Sequence, residues 1–381
     1  MRGDELDAYL IILIVKVLPV VASYGPPAGV FKTMAFHWSS LVVRPVGSAD
    51  LDAVLHLSAS GGRTLTTLPE DHEFLEKRIK RSVHAFYPEV SEPGNETYTF
   101  VLEHVPSGEI LGISAINART GGFDPFYTYE RVRVRNDYEP LGIHQQIERL
   151  ECHTWHKGPS ELGSLYLLPG ARGTGVGKLL SLARLLFMGA FPQRFEESVI
   201  AEIRGWQDAE GISPFWKGVI EPFFGHGFAK MDAVSGSGDK AFIGALLPKH
   251  PIYCALLPPP VYEAIGKAHP EAEPAMRMLM NQGFEETNYV DVFDAGPMIK
   301  ARLGELPTTL LPIQVKELKQ MSSDETQPER PSGICFNRSL DFAAALVGQA
   351  PDESGVLGVA PEQYQSLTGD TPSELAYFPL S

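Results

Sequence analysis

The chain has 381 residues, 44% of them hydrophobic and 21% charged, and a formal net charge of −15. That length allows one large core with appendages or two modest ones, and the acidic balance excludes broad binding to nucleic acid or anionic membranes. Cys152, Cys254 and Cys335 are scattered and odd in number, which fits a reducing compartment and no disulfide framework.

Residues 1–38 read as an N-terminal extension. The apolar stretch 10–21 is interrupted by Lys16 and Pro19 and is too short to cross a bilayer comfortably. Asp4, Glu5 and Asp7 outweigh Arg2, which argues against a signal peptide and a transit peptide alike. The expected location is the cytoplasm, with a mitochondrial one as the alternative.

The body begins near Ser40. Residues 41–46 predict a first strand, and Ser48 is placed to cap a helix through Leu51, Val54 and Leu55. A second helix is expected over 69–86, with Leu75, Ile79, Val83 and Phe86 on one face and Lys77, Arg78, Lys80 and Arg81 on a solvated one. Residues 98–105 and 110–116 read as two strands around Pro106-Ser107-Gly108-Glu109. Further along, Ser164-Leu165-Tyr166-Leu167-Leu168 reads as a short strand closed by Pro169-Gly170, and Lys178 to Phe187 as an apolar helix.

Between that strand and that helix stands Arg172-Gly173-Thr174-Gly175-Val176-Gly177. A strand, a glycine turn and a helix start make an anion site: the first helical N–H groups lack partners, the dipole adds positive charge, and glycine lets a phosphate approach. Spacing sorts the phosphate loops. A P-loop needs glycine at 172 and Ser or Thr at 179, where the chain has Arg172 and Leu179; a dinucleotide fingerprint needs glycine at 178 or 180, where it has Lys178 and Leu180. The pattern that fits, Arg-x-x-Gly-x-Gly, resembles the pyrophosphate loop of the acyl-CoA N-acyltransferase (GNAT-like) fold. A ligand of this kind is anionic, so its site must be locally positive. Arg172, Lys178 and Arg184 are the candidates.

A longer series sharpens the resemblance. Leu41-Val42-Val43-Arg44-Pro45, Thr64-Leu65-Thr66-Thr67-Leu68-Pro69, Ser160-Glu161-Leu162, Ala201-Glu202-Ile203-Arg204-Gly205, Ser213-Pro214-Phe215-Trp216, Ile265-Gly266-Lys267-Ala268-His269-Pro270 and Val292-Phe293-Asp294-Ala295-Gly296-Pro297 are similar, in order, to segments of the arginine N-succinyltransferase family. The resemblance implies an α/β (α+β) fold with a bent, mixed, mainly antiparallel sheet flanked by helices. It implies succinyl-CoA as co-substrate, L-arginine as acceptor and direct transfer to the α-amine. No metal, nucleic acid or membrane partner is expected, and self-association is left open. Acceptors such as ornithine, or a non-catalytic CoA-binding relative, are the alternatives.

Direct transfer needs no enzyme nucleophile. It needs a route for the amine proton, a donor for the thioester oxyanion and a proton for the departing sulfur. Leu165 matches the family position for succinyl-CoA, and His269, in its His-Pro step, matches the family's proton donor. The cofactor set is thus Leu165, Arg172, Gly173, Gly175, Gly177 and Lys178. Glu202 and Arg204 are candidates to meet a guanidinium and a succinyl carboxylate by charge pairing. His250, before Pro251, is a second histidine candidate, and Ser235-Gly236-Ser237-Gly238 is a flexible turn without the order of a nucleophile elbow.

The chain departs from the family at Cys152-His153-Thr154-Trp155-His156, whose metal-ligand types lack a second pair at zinc spacing, and over 127–148, where Arg131, Arg133 and Arg135 stand. Both stretches are expected near the acceptor pocket. The expected division is a catalytic body over 39–305, a linker over 306–331 and a small β-rich region over 332–381.

Overall fold

The computed structural model describes residues 36–61, 68–87, 92–172, 175–227, 231, 241–322, 328–369 and 373–380. Of the expectations above, Gly173, the 235–238 turn and nearly all of the 1–38 extension lie outside these residues.

The first strands are β1 (Leu41–Pro45), β2 (Thr97–His104), β3 (Glu109–Asn117), β4 (Phe126–Tyr138), β5 (Ile143–Trp155), β6 (Ser160–Leu167), β7 (Ser198–Glu202) and β8 (Ile252–Tyr253). They are followed by β9 (Glu285–Asp291), β10 (Pro297–Arg302), β11 (Ile313–Val315), β12 (Glu317–Gln320), β13 (Gly333–Asn337), β14 (Ala344–Val347), β15 (Val356–Val359) and β16 (Leu375–Pro379). Fourteen join one sheet, ordered β11-β16-β13-β14-β1-β2-β3-β6-β7-β10-β9-β4-β5-β8, while β12 and β15 pair separately. Inside the large sheet every pairing is antiparallel except β6 with β7. The mainly antiparallel sheet with flanking helices is the architecture expected from the sequence.

The helices follow local chemistry closely. Helix α1 (Leu51–Gly61) is entered through a 3-10 turn over Ser48–Asp50. The expected Ser48 cap is replaced by Asp50, whose carboxylate accepts the Gly47 N–H at 2.7 Å while Arg44 holds both its oxygens. A charge-assisted acceptor outcompetes a hydroxyl there. Helix α2 (His72–Phe86) starts after Asp71, which caps the Phe74 N–H at 2.9 Å, rather than at Pro69. Leu75, Ile79 and Phe86 are buried, as the period predicts. Lys77 and Lys80 pair outward with Glu73 and Glu76, but Arg78 turns inward and donates to Ser164 Oγ at 3.0 Å.

Helix α3 (Val176–Ala190) is buried at every residue from 179 to 188, so it is the central rod of the main core rather than an amphipathic surface helix. Phe187 on it meets the rings of Phe86, Tyr98, Phe100 and Phe342 at 5.2–5.4 Å. Helix α4 (Glu273–Met280) completes the set used below.

The stretch 306–331, expected as linker, carries a helical turn at Pro307–Leu310 and strands β11 and β12 before the polar residues that follow. Its apolar residues find partners: Val315 is buried opposite Leu375 on β16, and Leu318 opposite Leu357 on β15. The β-rich region after 332 adds β13, β14 and β16 to the edge of β1 through Val43 opposite Ala344.

Gly112 on β3 marks a close approach between β3, β6 and α3. A Cβ there would lie 2.8 Å from the Tyr166 carbonyl oxygen and 2.9 Å from Leu180 Cδ2. Gly112→Val should therefore cost about 1–3 kcal/mol, the usual penalty of overpacking. Thermal denaturation measures it, and an unchanged midpoint would show that β3 and α3 separate freely.

Candidate active site

Strands β6 and β7 share only two pairs, Ser160 with Val199 and Glu161 with Ile200. Beyond them β6 continues along β3 and β7 along β10. The gap between the parting strands opens into a cleft of about 1520 Å³, walled by residues 162–167 of β6 and 201–204 at the end of β7. That exceeds the ~300–1,000 Å³ of a drug-sized site and suits an extended ligand.

The glycine turn closes one end. Gly175 adopts φ +83° ahead of α3, a left-handed conformation that glycine accepts at no steric cost, with open space around its Cβ position. Gly177 follows in the first turn, and Lys178 beside it lines the cleft. Arg172 is exposed, donates through Nε to the Leu167 carbonyl at 3.1 Å and lies 5.7 Å over the Tyr166 ring. Its guanidinium is thereby held at the cleft mouth.

Midway along, β6 bulges. Gly163 pairs with Ala115 and Tyr166 with Ile113, so Ser164 and Leu165 together oppose one residue of β3. Ser164 takes φ +52°, a strained conformation outside glycine. Two arginines grip this bulge. Arg78 reaches Ser164 Oγ, and Arg184 donates to the Gly163 carbonyl at 3.3 Å. Burial pushes the Arg78 guanidinium down to about 10, against the opposing pull of Glu161, and Arg184 down to about 9. Sequence reading grouped Arg184 with the phosphate cations. It instead sits two turns along α3, roughly 12 Å from the helix start at 1.5 Å per residue.

The far end carries Glu202, Arg204, Glu271, Asp291 and Asp294. Asp294 is buried and accepts from Gly205 N–H at 2.7 Å and Gly296 N–H at 2.8 Å. Burial, and then the neighbouring Asp291, raise its carboxyl well above the usual carboxylate range. Both glycines are required: a Cβ on Gly205 would meet the Asp294 carbonyl at 2.5 Å, and one on Gly296 the Ile203 carbonyl at 2.0 Å.

His269 lies on the loop before α4, as its His-Pro step predicts. Its N–H donates to the Arg204 carbonyl at 2.8 Å. Its Nδ1 accepts from Arg204 Nη2 and from the Glu271 N–H. Both donors engage Nδ1, so the proton of the neutral ring resides on Nε2. Burial first, then the Arg204 charge, lower the imidazole from its ordinary 6.5, partly offset by Glu271.

The structure thus brings Leu165, Arg172, Gly175, Gly177, Lys178, Glu202 and Arg204 to one cleft. His269 is one hydrogen bond removed from the lining, through Arg204 and Glu271. His250 is exposed and does not line the cleft. Arg131 and Arg133 pair with Glu148, and Arg135 with Asp137, along the β4–β5 hairpin; only Phe126 and Tyr127 at its base line the cleft. His153 packs against Trp155 and Tyr289 rather than toward other ligand types. Sequence reading missed Arg78 and Asp294: one looked like an ordinary surface charge, and the other gave no signal outside its motif.

A sheet parted at one junction, with a bulged strand along the wall and a glycine-started helix at its end, is the architecture of an N-acyltransferase. The profile of the family described as arginine N-succinyltransferase beta subunit matches residues 41–308. An arginine N-succinyltransferase of Enterobacter sp. (strain 638) is 37% identical over 313 residues, 82% of this chain and 90% of the relative. One of Citrobacter koseri is 36% identical over 316 residues, with the same coverage. The solved structure of arginine/ornithine succinyltransferase subunit AI from Pseudomonas aeruginosa is similar at a TM-score of 0.80 and 32% identity, covering 90% of this chain and 99% of that one. The chain belongs to the arginine N-succinyltransferase family of acyltransferases. Among the described residues no group of three or more His, Cys, Asp or Glu could hold a metal ion, and no helix is long and apolar enough to cross a membrane.

Two outcomes test the site. Gly175→Asp puts a carboxylate where phosphate must approach, at a left-handed position that costs a non-glycine residue on the order of 1 kcal/mol; CoA binding measured by calorimetry should be lost while the protein stays folded with only a small drop in thermal midpoint. Normal CoA binding would remove the turn from the site. Arg204→Gln removes a charge that disfavours the imidazolium, so the His269 pKa should rise. Nitrogen-15 NMR of the ring reads this directly, and an unmoved titration would mean that the guanidinium does not reach the ring.

Proposed function

We propose that this protein transfers the succinyl group of succinyl-CoA to the α-amine of L-arginine in one direct step. The amine nitrogen bonds to the thioester carbon and the carbon–sulfur bond breaks. The ammonium has to release a proton before attack, the new amide gives up another, and the departing thiolate takes one back. The observation that carries the reading is the parted β6–β7 junction, which combines an anion-binding helix start with a mixed-charge cleft. That supports CoA at the glycine turn and the acyl carbon at the bulge near Leu165. Arg172, Gly175, Gly177 and Lys178 form the pyrophosphate cradle in this reading, with Gly173 its further candidate from the sequence.

The acceptor belongs at the acidic end. Glu202 offers a carboxylate for a guanidinium, the pairing with the best geometric match. Arg204 keeps a buried Nε–H with no hydrogen-bond partner among the described residues. That donor suits an amino acid's α-carboxylate. His269 stands behind Arg204 and Glu271 rather than in the lining, so in this reading it serves the departing sulfur by turning its Nε2–H toward the cleft once the substrates are bound. A neutral imidazole can fill such a role. The similar Pseudomonas aeruginosa protein is an arginine/ornithine succinyltransferase subunit, which makes ornithine the second acceptor to try. The three free cysteines suit a reducing cytoplasm as the setting.

The experiment is a transfer assay on purified protein, succinyl-CoA and acetyl-CoA each against a panel of amino acids. Succinyl-CoA with arginine should give the highest kcat/KM, and no transfer to any amino acid would sink the reading. His269→Ala should lower turnover roughly 10²–10⁴-fold, the usual yield of general acid–base groups, with CoA binding intact. Unchanged turnover per folded molecule would leave His269 a brace for Arg204.

A further inference from the structure

The cleft's arginines are not alike. Arg119 pairs with Glu196, Arg204 with Glu271, and Arg78 feels Glu161. Arg172 is exposed at the mouth. Arg184 is 1% exposed, and its hydrogen-bond partners are neutral: the Ser181 carbonyl at 3.2 Å, the Ser181 hydroxyl at 3.1 Å and the Gly163 carbonyl at 3.3 Å. Those three bonds leave two of the five guanidinium N–H groups. Among the described residues no carboxylate pairs with it, yet its side chain lines the cleft.

A buried cation without a counter-ion is costly, and an apolar side chain of similar size usually serves packing as well or better. Here the charge stands in a run of Leu182, Ala183, Leu185 and Leu186, all fully buried. An anion that enters the cleft would relieve that cost. The pyrophosphate does not qualify, because it belongs at the helix start two turns away. The remaining anionic group of the donor is the free carboxylate of the succinyl chain, two methylenes beyond the thioester carbonyl. With that carbonyl at the bulge near Leu165, the carboxylate falls within the neighbourhood of Gly163, where Arg184 is anchored.

We propose that Arg184 binds the free carboxylate of the succinyl donor and so makes the enzyme choose a dicarboxylic acyl group; this rests on the reaction proposed above. A guanidinium suits the task, since its planar fork meets a carboxylate with two parallel hydrogen bonds. Its existing bonds to Gly163 and Ser181 fix the fork before the donor arrives. Arg204, the earlier candidate for this carboxylate, already shares its charge with Glu271 and Asp294 and stands on the acceptor side.

The test compares succinyl-CoA with butyryl-CoA, which has the same chain length and no carboxylate. Calorimetry on the parent protein should show succinyl-CoA bound at least roughly ten-fold more tightly, a modest fraction of what a matched buried ion pair can supply. Arg184→Gln should erase that preference, weakening succinyl-CoA binding far more than butyryl-CoA binding, and should cut kcat/KM for succinyl-CoA by roughly 10²-fold. Arg184→Lys should keep part of the preference, and it carries the test if the glutamine variant fails to fold. Equal binding of the two donors by the parent, or a parallel loss for both in the variants, would overturn the proposal and leave Arg184 a brace for the bulge. Selective succinyl-CoA binding without transfer to arginine would overturn the reaction instead.

Discussion

The rest of the molecule depends on how two parallel strands are held together for two residue pairs and released beyond them. Polar groups fasten the vertex. The buried Ser160 hydroxyl donates to the Ala118 carbonyl at 2.6 Å and accepts the Glu196 N–H at 2.9 Å, tying the end of β3 to the approach of β7. Arg119 pairs with Glu196 across the same point, and Asn117 donates to Glu161 beside it. These bonds run crosswise to the sheet, so they fix where the strands part. The arms of the gap are then set by separate cores: α3 supports β6 from the main core, while Phe215, Trp216, Phe293 and their neighbours form another against β4, β5 and β9.

Charge is distributed on the same plan. A chain with a net charge of −15 lines its cleft with nine basic and seven acidic side chains. The cations concentrate on α2, on the glycine turn and at the bulge, the acids toward the β7 exit and the β9–β10 turn. In the proposed reaction an anionic donor and a cationic acceptor would therefore approach from different ends without crossing a field of their own sign. Low-dielectric walls strengthen each attraction relative to water, at the cost of keeping dehydrated arginines in the empty protein.

Local rules made the elements near the donor legible in the sequence. The hairpin at Pro106-Ser107-Gly108-Glu109, the β6 strand, the glycine turn and α3 all follow from turn residues and periodicity, which act over a few neighbours. The same rules placed His269 on a loop through Pro270. What they did not reach were contacts made across the sheet. Arg78 sits at a position indistinguishable by period from Lys77, and only the bulge at Ser164 draws it inward. Asp294 needs Gly205, 89 positions away, to be recognisable as a buried acceptor. Residues 313–320 looked like linker because their apolar positions are sparse, and their partners on β15 and β16 come late in the chain. The His269 ring shows the same limit at finer scale: sequence supplied the residue, but its neutral form follows from Arg204 and Glu271 meeting at Nδ1.

Backbone strain marks both walls of the cleft. Among the described residues the non-glycine positions with positive φ are Ser164, at +52°, and Ala295, at +56°. Ser164 is on the donor wall, held by Arg78. Ala295 lies between Asp294 and Gly296, in the turn that pins the exit of β7. Each strained residue costs on the order of 1–3 kcal/mol and persists only where neighbours over-determine it. On the donor wall the over-determination is an arginine clamp on a bulge. On the acceptor wall it is a buried carboxyl shared by two backbone N–H groups, with no room for a Cβ at either glycine. Two different devices thus fix the two faces of the cleft, each from its own side. A reaction that uses no enzyme nucleophile depends on that placement more than on any single reactive side chain.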